Sequence, residues 1–379
     1  MTTTLVAAPS TFSVTSRAIV RLGNVSANLR TARQHLPPAA RIYAVVKADA
    51  YGHGMAEVAT SLAAAGVDAF AVSSASEGAE LREAGIRQQI LVLGPLLRDD
   101  ARTLISNDLT VTLNSAEMLE ALQAESALQR RRALVHVRVD LGCAGQGMPV
   151  EAATAVVRTV AASGSVVLDG VYAHGFAAYR ADYPGVLDEV AAFDAWVQEL
   201  GRMLGRRPFA HVLSSPGLAV PGARVHDAVR LGSLLYGIRM TPGGPDGLRP
   251  ALEIRSIVSE IKIIPPGTRL AYEAGLTADR TIKVAVVAAG FAHAPFLSAD
   301  RNAQVLIRGR RVPVAGRAFM TSMLVDVTSL PDVAPGDEVV VLGADGDNSI
   351  TAEEIAARSG VRPSAVPFLG PAIKRFHVD

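Results

Sequence analysis

The chain has 379 residues, 49% hydrophobic and 19% charged, which allows two domains and is ordinary for a well-buried protein of enzyme size. With 37 Lys and Arg against 36 Asp and Glu, the formal charge of +1 makes no electrostatic case for nucleic acid or an anionic membrane as partner. The single cysteine, Cys143, excludes an internal disulfide and a multi-thiolate metal site, and no apolar run approaches the ~20 residues that span a bilayer. The opening text, "MTTTLVAAPSTFSV", lacks the basic start and long apolar core of a secretory signal. The expectation is a cytoplasmic protein with no resident metal.

From about residue 42 to 215, short β-rich runs alternate with Ala-, Glu- and Leu-rich stretches of helical spacing. The strands are predicted at "IYAVV" (42–46), "AFAVSS" (69–74), "ILVLG" (90–94), "LTVTLN" (109–114), "LVHVRVD" (134–140), "VVLDGVYAH" (166–174) and "AHVLSS" (210–215). The first two helical stretches, "GMAEVATSLAAAG" and "SASEGAELREAG", end on Gly66 and Gly85, the residue type that most readily closes a helix. At least seven such units in this length favour a closed (β/α)8 barrel over an open sheet. After "RLGSLLYGIRM" the Gly/Pro-rich break "PGGPDGLR" (242–249) marks a boundary. Beyond it come short alternating runs separated by turn residues, with only "TAEEIAARSG" reading as helix. The expected organisation is a barrel over 19–241 and a mainly β domain over 242–379, with residues 1–18 as a candidate addition to the second.

Barrel chemistry collects where strands end. One of these ends stands out: "RIYAVVKADAYGHG" (41–54), an apolar strand that finishes on a lysine and breaks at once into a turn. A buried lysine loses part of its affinity for a proton and offers a free amine for Schiff-base chemistry; alternatively it only snorkels to water. Ser215 and the "RLGS" stretch with Gly232 and Ser233 supply small side chains and backbone N–H groups after the last two strands, where barrels often bind phosphate. An aldehyde cofactor with a phosphate handle, pyridoxal phosphate, answers to both features.

"AVVKADAYGHG" resembles the lysine segment of alanine racemases and their fold-type III relatives. The resemblance continues through "VRVDLG" (137–142), "GVYAHGFA" (170–177), "DAVRLGSLLYG" (227–237), "RPALEIRSIVSEIKIIPPGTRLAYE" (249–273) and "VLIRGRRVPVAGRAFM" (305–320). It implies a pyridoxal-phosphate-dependent racemase, a homodimer with shared active sites. Lys47 would bind the cofactor and act as one catalytic base. Tyr272, in "RLAYEAG", would be the opposing base and reach across the dimer interface. His174 and Arg230 would assist that tyrosine, Arg230 would face the pyridine nitrogen, and Tyr51, Ser215, Gly232 and Ser233 would hold phosphate.

The chain departs from the family pattern in a cluster. The arginine that neutralises the substrate carboxylate is Gly145 here, in "VDLGCAGQG", and the commonly carbamylated lysine that orients it is Arg138. The family's Met–Asp pair is Met320–Thr321, and its "GYADG" segment is "GFAHA" (290–294). The C-terminal tyrosine that contacts phosphate and narrows the gate falls at Pro363 or Ser364. These changes point to an amino acid other than alanine as substrate, with Met320 and Arg138 lining its site and Gln146 or His293 as further polar contacts. Two other readings keep the fold: a pyridoxal-phosphate decarboxylase or lyase, and a non-catalytic cofactor-binding homologue.

Overall fold

The structure is a computed structural model describing residues 15–142, 145–175, 185–270 and 277–379. The chain divides into two compact units, one built on Arg21–Ala251 with Arg362–Pro367 and His377–Asp379, the other on Leu252–Val361 with Phe368–Phe376 and the segment ending at Val20.

The first unit is a closed barrel. Among the described residues eight strands follow one another around it: β2 (Arg41–Val45), β3 (Ala69–Val72), β4 (Gln89–Val92), β5 (Thr110–Leu113), β6 (Ala133–Arg138), β7 (Val166–Tyr172), β8 (Ala210–Ser214) and β9 (Ala228–Leu231). All pair in parallel, and β2 against β9 closes the ring in the register Arg41↔Ala228 to Ala44↔Leu231. Their near-continuous apolar text follows from burial on both faces, beneath helices outside and side chains inside. The expected barrel is therefore the observed one, and its eighth strand is the short "AVRL" run that carries Arg230.

The helices obey local chemistry. Ser74 caps α4 (Ala75–Glu83) and Ser115 caps α6 (Ala116–Gln129), each accepting a backbone N–H three residues on. Gly66 and Gly85 follow α3 (Met55–Ala64) and α4 at φ +83° and +87°, so both predicted stops use the left-handed freedom of glycine. The barrel interior is less ordinary. Where branched aliphatics usually fill such a core, Tyr43, His136, Tyr172, His211 and Arg230 are each at most 3% exposed.

The second unit is a mainly antiparallel sheet organised on β10 (Leu252–Ile264), which pairs with β1 (Arg17–Arg21), β11 (Ile282–Val287) and β15 (Glu338–Asp345). A register shift between Val258 and Glu260 divides the long strand, so that its two halves serve different neighbours. The helix expected in "TAEEIAARSG" is Ala352–Ser359, capped by Thr351. No helix among the described residues is long and apolar enough to cross a membrane.

Candidate active site

Lys47 opens a one-turn helical segment, Lys47–Gly52, that is left-handed. Ala48, Asp49, Ala50 and Tyr51 have φ of 53, 53, 52 and 56°, a conformation side chains with a Cβ resist at roughly 1–2 kcal/mol per residue. Neighbouring groups impose it. Glu77, in the first turn of α4, accepts the Ala48 N–H at 2.7 Å and also the backbone N–H and hydroxyl of Ser73, each at 2.7 Å. Asp49 accepts the Met55 N–H at 2.8 Å, which ties the turn to α3. Tyr236 stacks on His53 at 4.5 Å and packs on Tyr51 at 5.1 Å, and its hydroxyl donates to the Val45 carbonyl at 2.9 Å. Together these contacts fix where the Lys47 side chain begins.

That side chain enters a cavity of about 320 Å³, near the lower end of ligand-pocket sizes. Tyr51, Arg138, His174, Ser215, Arg230, Gly232 and Ser233 line the same cavity, so eight of the ten site residues proposed from sequence converge there. Burial lowers the affinity of Lys47 for a proton; Glu77 opposes this, and Arg138 and Arg230 add to it.

One wall has the makings of a phosphate cradle. The Ser215 hydroxyl oxygen accepts N–H bonds from Gly232 at 3.0 Å and Leu234 at 3.4 Å, leaving its own O–H to donate. A Cβ on Gly232 would lie 2.7 Å from the Tyr51 hydroxyl oxygen, so glycine keeps the space in front of that hydroxyl open. Three hydroxyls and a bare backbone, in one cavity with a lysine whose proton affinity burial lowers, fit a phosphorylated aldehyde.

Arg230 organises the remaining wall. Its guanidinium donates to Nδ1 of His211 at 2.5 Å, to Nδ1 of His174 at 3.3 Å, and to the carbonyls of Ala173 and Val212 at 2.8 and 3.0 Å. Burial, with the positive charges of Arg230, Arg138 and Lys47, pushes His174 down to about 3. His174 is therefore a neutral imidazole. Because its Nδ1 faces a donor, its proton sits on Nε2.

Arg138 ends β6 and is 8% exposed. Its Nη1 donates to Oε1 of Gln146 at 2.8 Å, its guanidinium lies 5.6 Å from the Tyr172 ring centre, and its Nε is buried with no acceptor. Gln146 thus belongs to this wall, as the sequence reading allowed. His293 belongs to the β unit, where its Nδ1 accepts the Gly290 N–H at 3.2 Å within its own turn.

Met320 also lies in the β unit, 60% exposed. The altered 290–294 segment meets it directly: the N–H groups of Phe291 and Ala292 donate to the carbonyls of Phe319 and Met320 at 3.0 and 2.8 Å. Tyr272 and Cys143 lie outside the described residues. Sequence reasoning passed over Glu77, Tyr172, Tyr236, His136 and His211. Strand alternation offered one signal, since His136 stands two residues before Arg138 and shares its face.

The profile of the alanine racemase N-terminal domain matches residues 20–240, and that of the alanine racemase C-terminal domain matches residues 251–369. An alanine racemase of Sorangium cellulosum is 35% identical over 356 residues, covering 91% of this chain and 94% of its own. One of Methanococcus maripaludis is 30% identical over 90% of this chain and 93% of its own. Among solved structures, the alanine racemase of Streptomyces lavendulae superposes with a TM-score of 0.88 at 29% identity, covering 97% of this chain and 98% of that one. Two profiles in tandem and relatives aligned almost end to end agree with the barrel and the β unit. The chain belongs to the alanine racemase family of pyridoxal-phosphate-dependent isomerases.

Proposed function

We propose that the protein racemises an amino acid other than alanine, with Lys47 and Tyr272 as opposing bases at the substrate Cα and Arg138 as the anchor for the substrate carboxylate. The observation that carries this reading is the shared cavity, in which Lys47, its proton affinity lowered by burial, stands with the Ser215–Gly232–Ser233 wall and the Arg138 guanidinium.

Lys47 would hold the cofactor aldehyde, and Tyr51, Ser215, Gly232 and Ser233 its phosphate. Pyridoxal phosphate supplies a carbonyl for the substrate amine and a conjugated ring that takes up the electron pair left at Cα. The protein's task is then to move one proton. Lys47 removes or returns it on one face of Cα, and Tyr272 of a second copy of the chain serves the other face, so that the active unit is a homodimer. Tyrosine is a weak base at neutral pH because its hydroxyl ordinarily titrates near 10. His174, held neutral with its proton on Nε2, can donate to the phenolate oxygen and so stabilise it, while the Arg230 charge keeps that tautomer in place. Arg230 would present a proton donor, rather than an acceptor, to the cofactor ring.

At the carboxylate end the family's arginine has changed address. Gly145 offers no side chain, but Arg138 brings a guanidinium into the cavity from the strand, and Gln146 steadies it. Met320 would be a further contact for the substrate. The lone cysteine supports a cytoplasmic home.

The test is proton NMR of the cofactor-loaded protein in D2O with a panel of L-amino acids, followed by chiral chromatography. The expected result is Cα exchange with appearance of the D-isomer, fastest for a member other than alanine. Clear preference for alanine removes the substrate reading. Loss of CO2 or of a side-chain fragment removes the racemase reading.

A further inference from the structure

The barrel interior holds a run of hydrogen bonds that the proposed proton transfer does not touch. It begins at Arg230, whose Nη1 lies 2.5 Å from Nδ1 of His211. Arginine can only donate, so this Nδ1 carries a lone pair and the His211 proton is on Nε2. That Nε2 lies 2.9 Å from Nδ1 of His136, which must therefore accept. The His136 proton is then on its own Nε2, 2.9 Å from Oδ2 of Asp169, a carboxylate that accepts. Gln89 Nε2 donates to the same oxygen at 2.6 Å, while its Oε1 accepts from the Tyr43 hydroxyl at 2.8 Å. Every proton between Arg230 and Asp169 points the same way, from cation to anion.

This run is built into the fold. His136 and His211 have no exposure, and His211 stacks on Tyr172 at 4.9 Å and on Tyr43 at 5.4 Å with interplanar angles of 7° and 19°. Gly170, beside His136 in the β6–β7 register, leaves the space the ring occupies; a Cβ there would fall 2.8 Å from it. Burial holds both imidazoles neutral, as a one-way chain requires. Asp169 stands at the far end on β7, with its side chain 34% exposed.

We propose that Asp169 and His136 are positioning residues, whose one-way hydrogen bonds fix the tautomer of His211 and so lock the Arg230 guanidinium against the cavity wall. With both tautomers reversed, His211 would present an N–H to the Arg230 N–H groups, and the guanidinium would be pushed out of place. Only the kinetic consequence rests on the function proposed above; the direction of the chain rests on geometry.

Nitrogen NMR of the 15N-histidine-labelled holoenzyme tests it, since protonated and bare ring nitrogens resonate far apart and His→Gln variants assign the signals. In the unaltered protein His136 and His211 are expected with protons on Nε2; a proton on Nδ1 of His211 overturns the inference, whether or not any substrate turns over. Asp169→Ala is expected to mix or reverse the tautomers and to lower kcat by roughly ten- to a hundredfold with little change in KM. Asp169→Asn keeps an acceptor oxygen in place and is expected to restore both. Unchanged tautomers and unchanged kcat in Asp169→Ala, or failure of Asp169→Asn to restore either, overturn the positioning role. Absence of any racemisation in the presence of the expected tautomers would remove the proposed function and leave the chain of donors standing.

Discussion

Arg138 and Gln146 share one hydrogen bond, Nη1 to Oε1 at 2.8 Å, and among the described residues Arg138 meets no carboxylate. A buried guanidinium paired only with a neutral amide keeps its charge for an incoming anion. Replacing it should therefore act on binding. Arg138→Gln is expected to raise KM about ten- to a hundredfold, the worth of a charge-assisted contact, with a smaller effect on kcat. Arg138→Lys should fall between, because a point charge replaces a planar fork. Steady-state kinetics on the preferred substrate decides it, and an unchanged KM in both variants would contradict the assignment.

Gly232→Ala should weaken cofactor binding. The added methyl would lie 2.7 Å from the Tyr51 hydroxyl oxygen and 3.1 and 3.3 Å from two carbons of its ring, so the tyrosine must move. Moving that hydroxyl disturbs the proposed phosphate wall. Loss of cofactor absorbance on dialysis should be faster than for the parent chain.

Glu77→Ala removes the acceptor of three separate donors, the Ala48 and Ser73 N–H groups and the Ser73 hydroxyl. Leaving partly buried donors unsatisfied costs ~1–3 kcal/mol, readable as a lower urea midpoint. The negative charge of Glu77 also raises the proton affinity of Lys47, so its removal should lower that affinity further. The pH profile for attachment of an aldehyde to Lys47, trapped by borohydride, should shift toward acid in Glu77→Ala.

His174 sits at about 3 in the folded protein against 6.5 for an ordinary histidine, and His211 is displaced in the same direction, burial being the main cause in each. Between those values the unfolded chain binds protons that the folded one refuses, so stability falls as pH drops from 6.5 toward 3. Above 6.5 neither group contributes a slope. Urea midpoints measured across this range should decline steeply for the parent and less so for His174→Asn. Parallel curves would show that other groups govern the acid limb.

The strand-and-helix spacing made the barrel legible, because each unit repeats the same short apolar run and the glycine stops are local signals. Lys47 was legible as a charge in an unlikely place. The left-handed turn after it was not, since Ala48, Ala50 and Tyr51 have no local preference for positive φ; Glu77 and Tyr236, distant in sequence, impose it. The polar interior was also hidden. Parallel strands buried on both faces read as continuous apolar text, and His136 and His211 gave no periodic signal that they faced each other. In the β unit, β1 pairs with both β10 and β17 (Lys374–Val378), bringing together segments from opposite ends of the chain that no short window relates.

The left-handed turn also orders events during synthesis and refolding. Four residues held there oppose their own preference by roughly 4–8 kcal/mol in all, so the turn cannot nucleate anything and must arrive after its supports. Those supports are Glu77, early in the chain, and Tyr236, which reaches its place only when β9 has paired with β2. A chain emerging from the ribosome, or trapped with its barrel open, therefore has the lysine without the geometry that makes it useful. Lasting cofactor capture at the Ser215–Gly232–Ser233 wall is therefore expected only once the ring has closed.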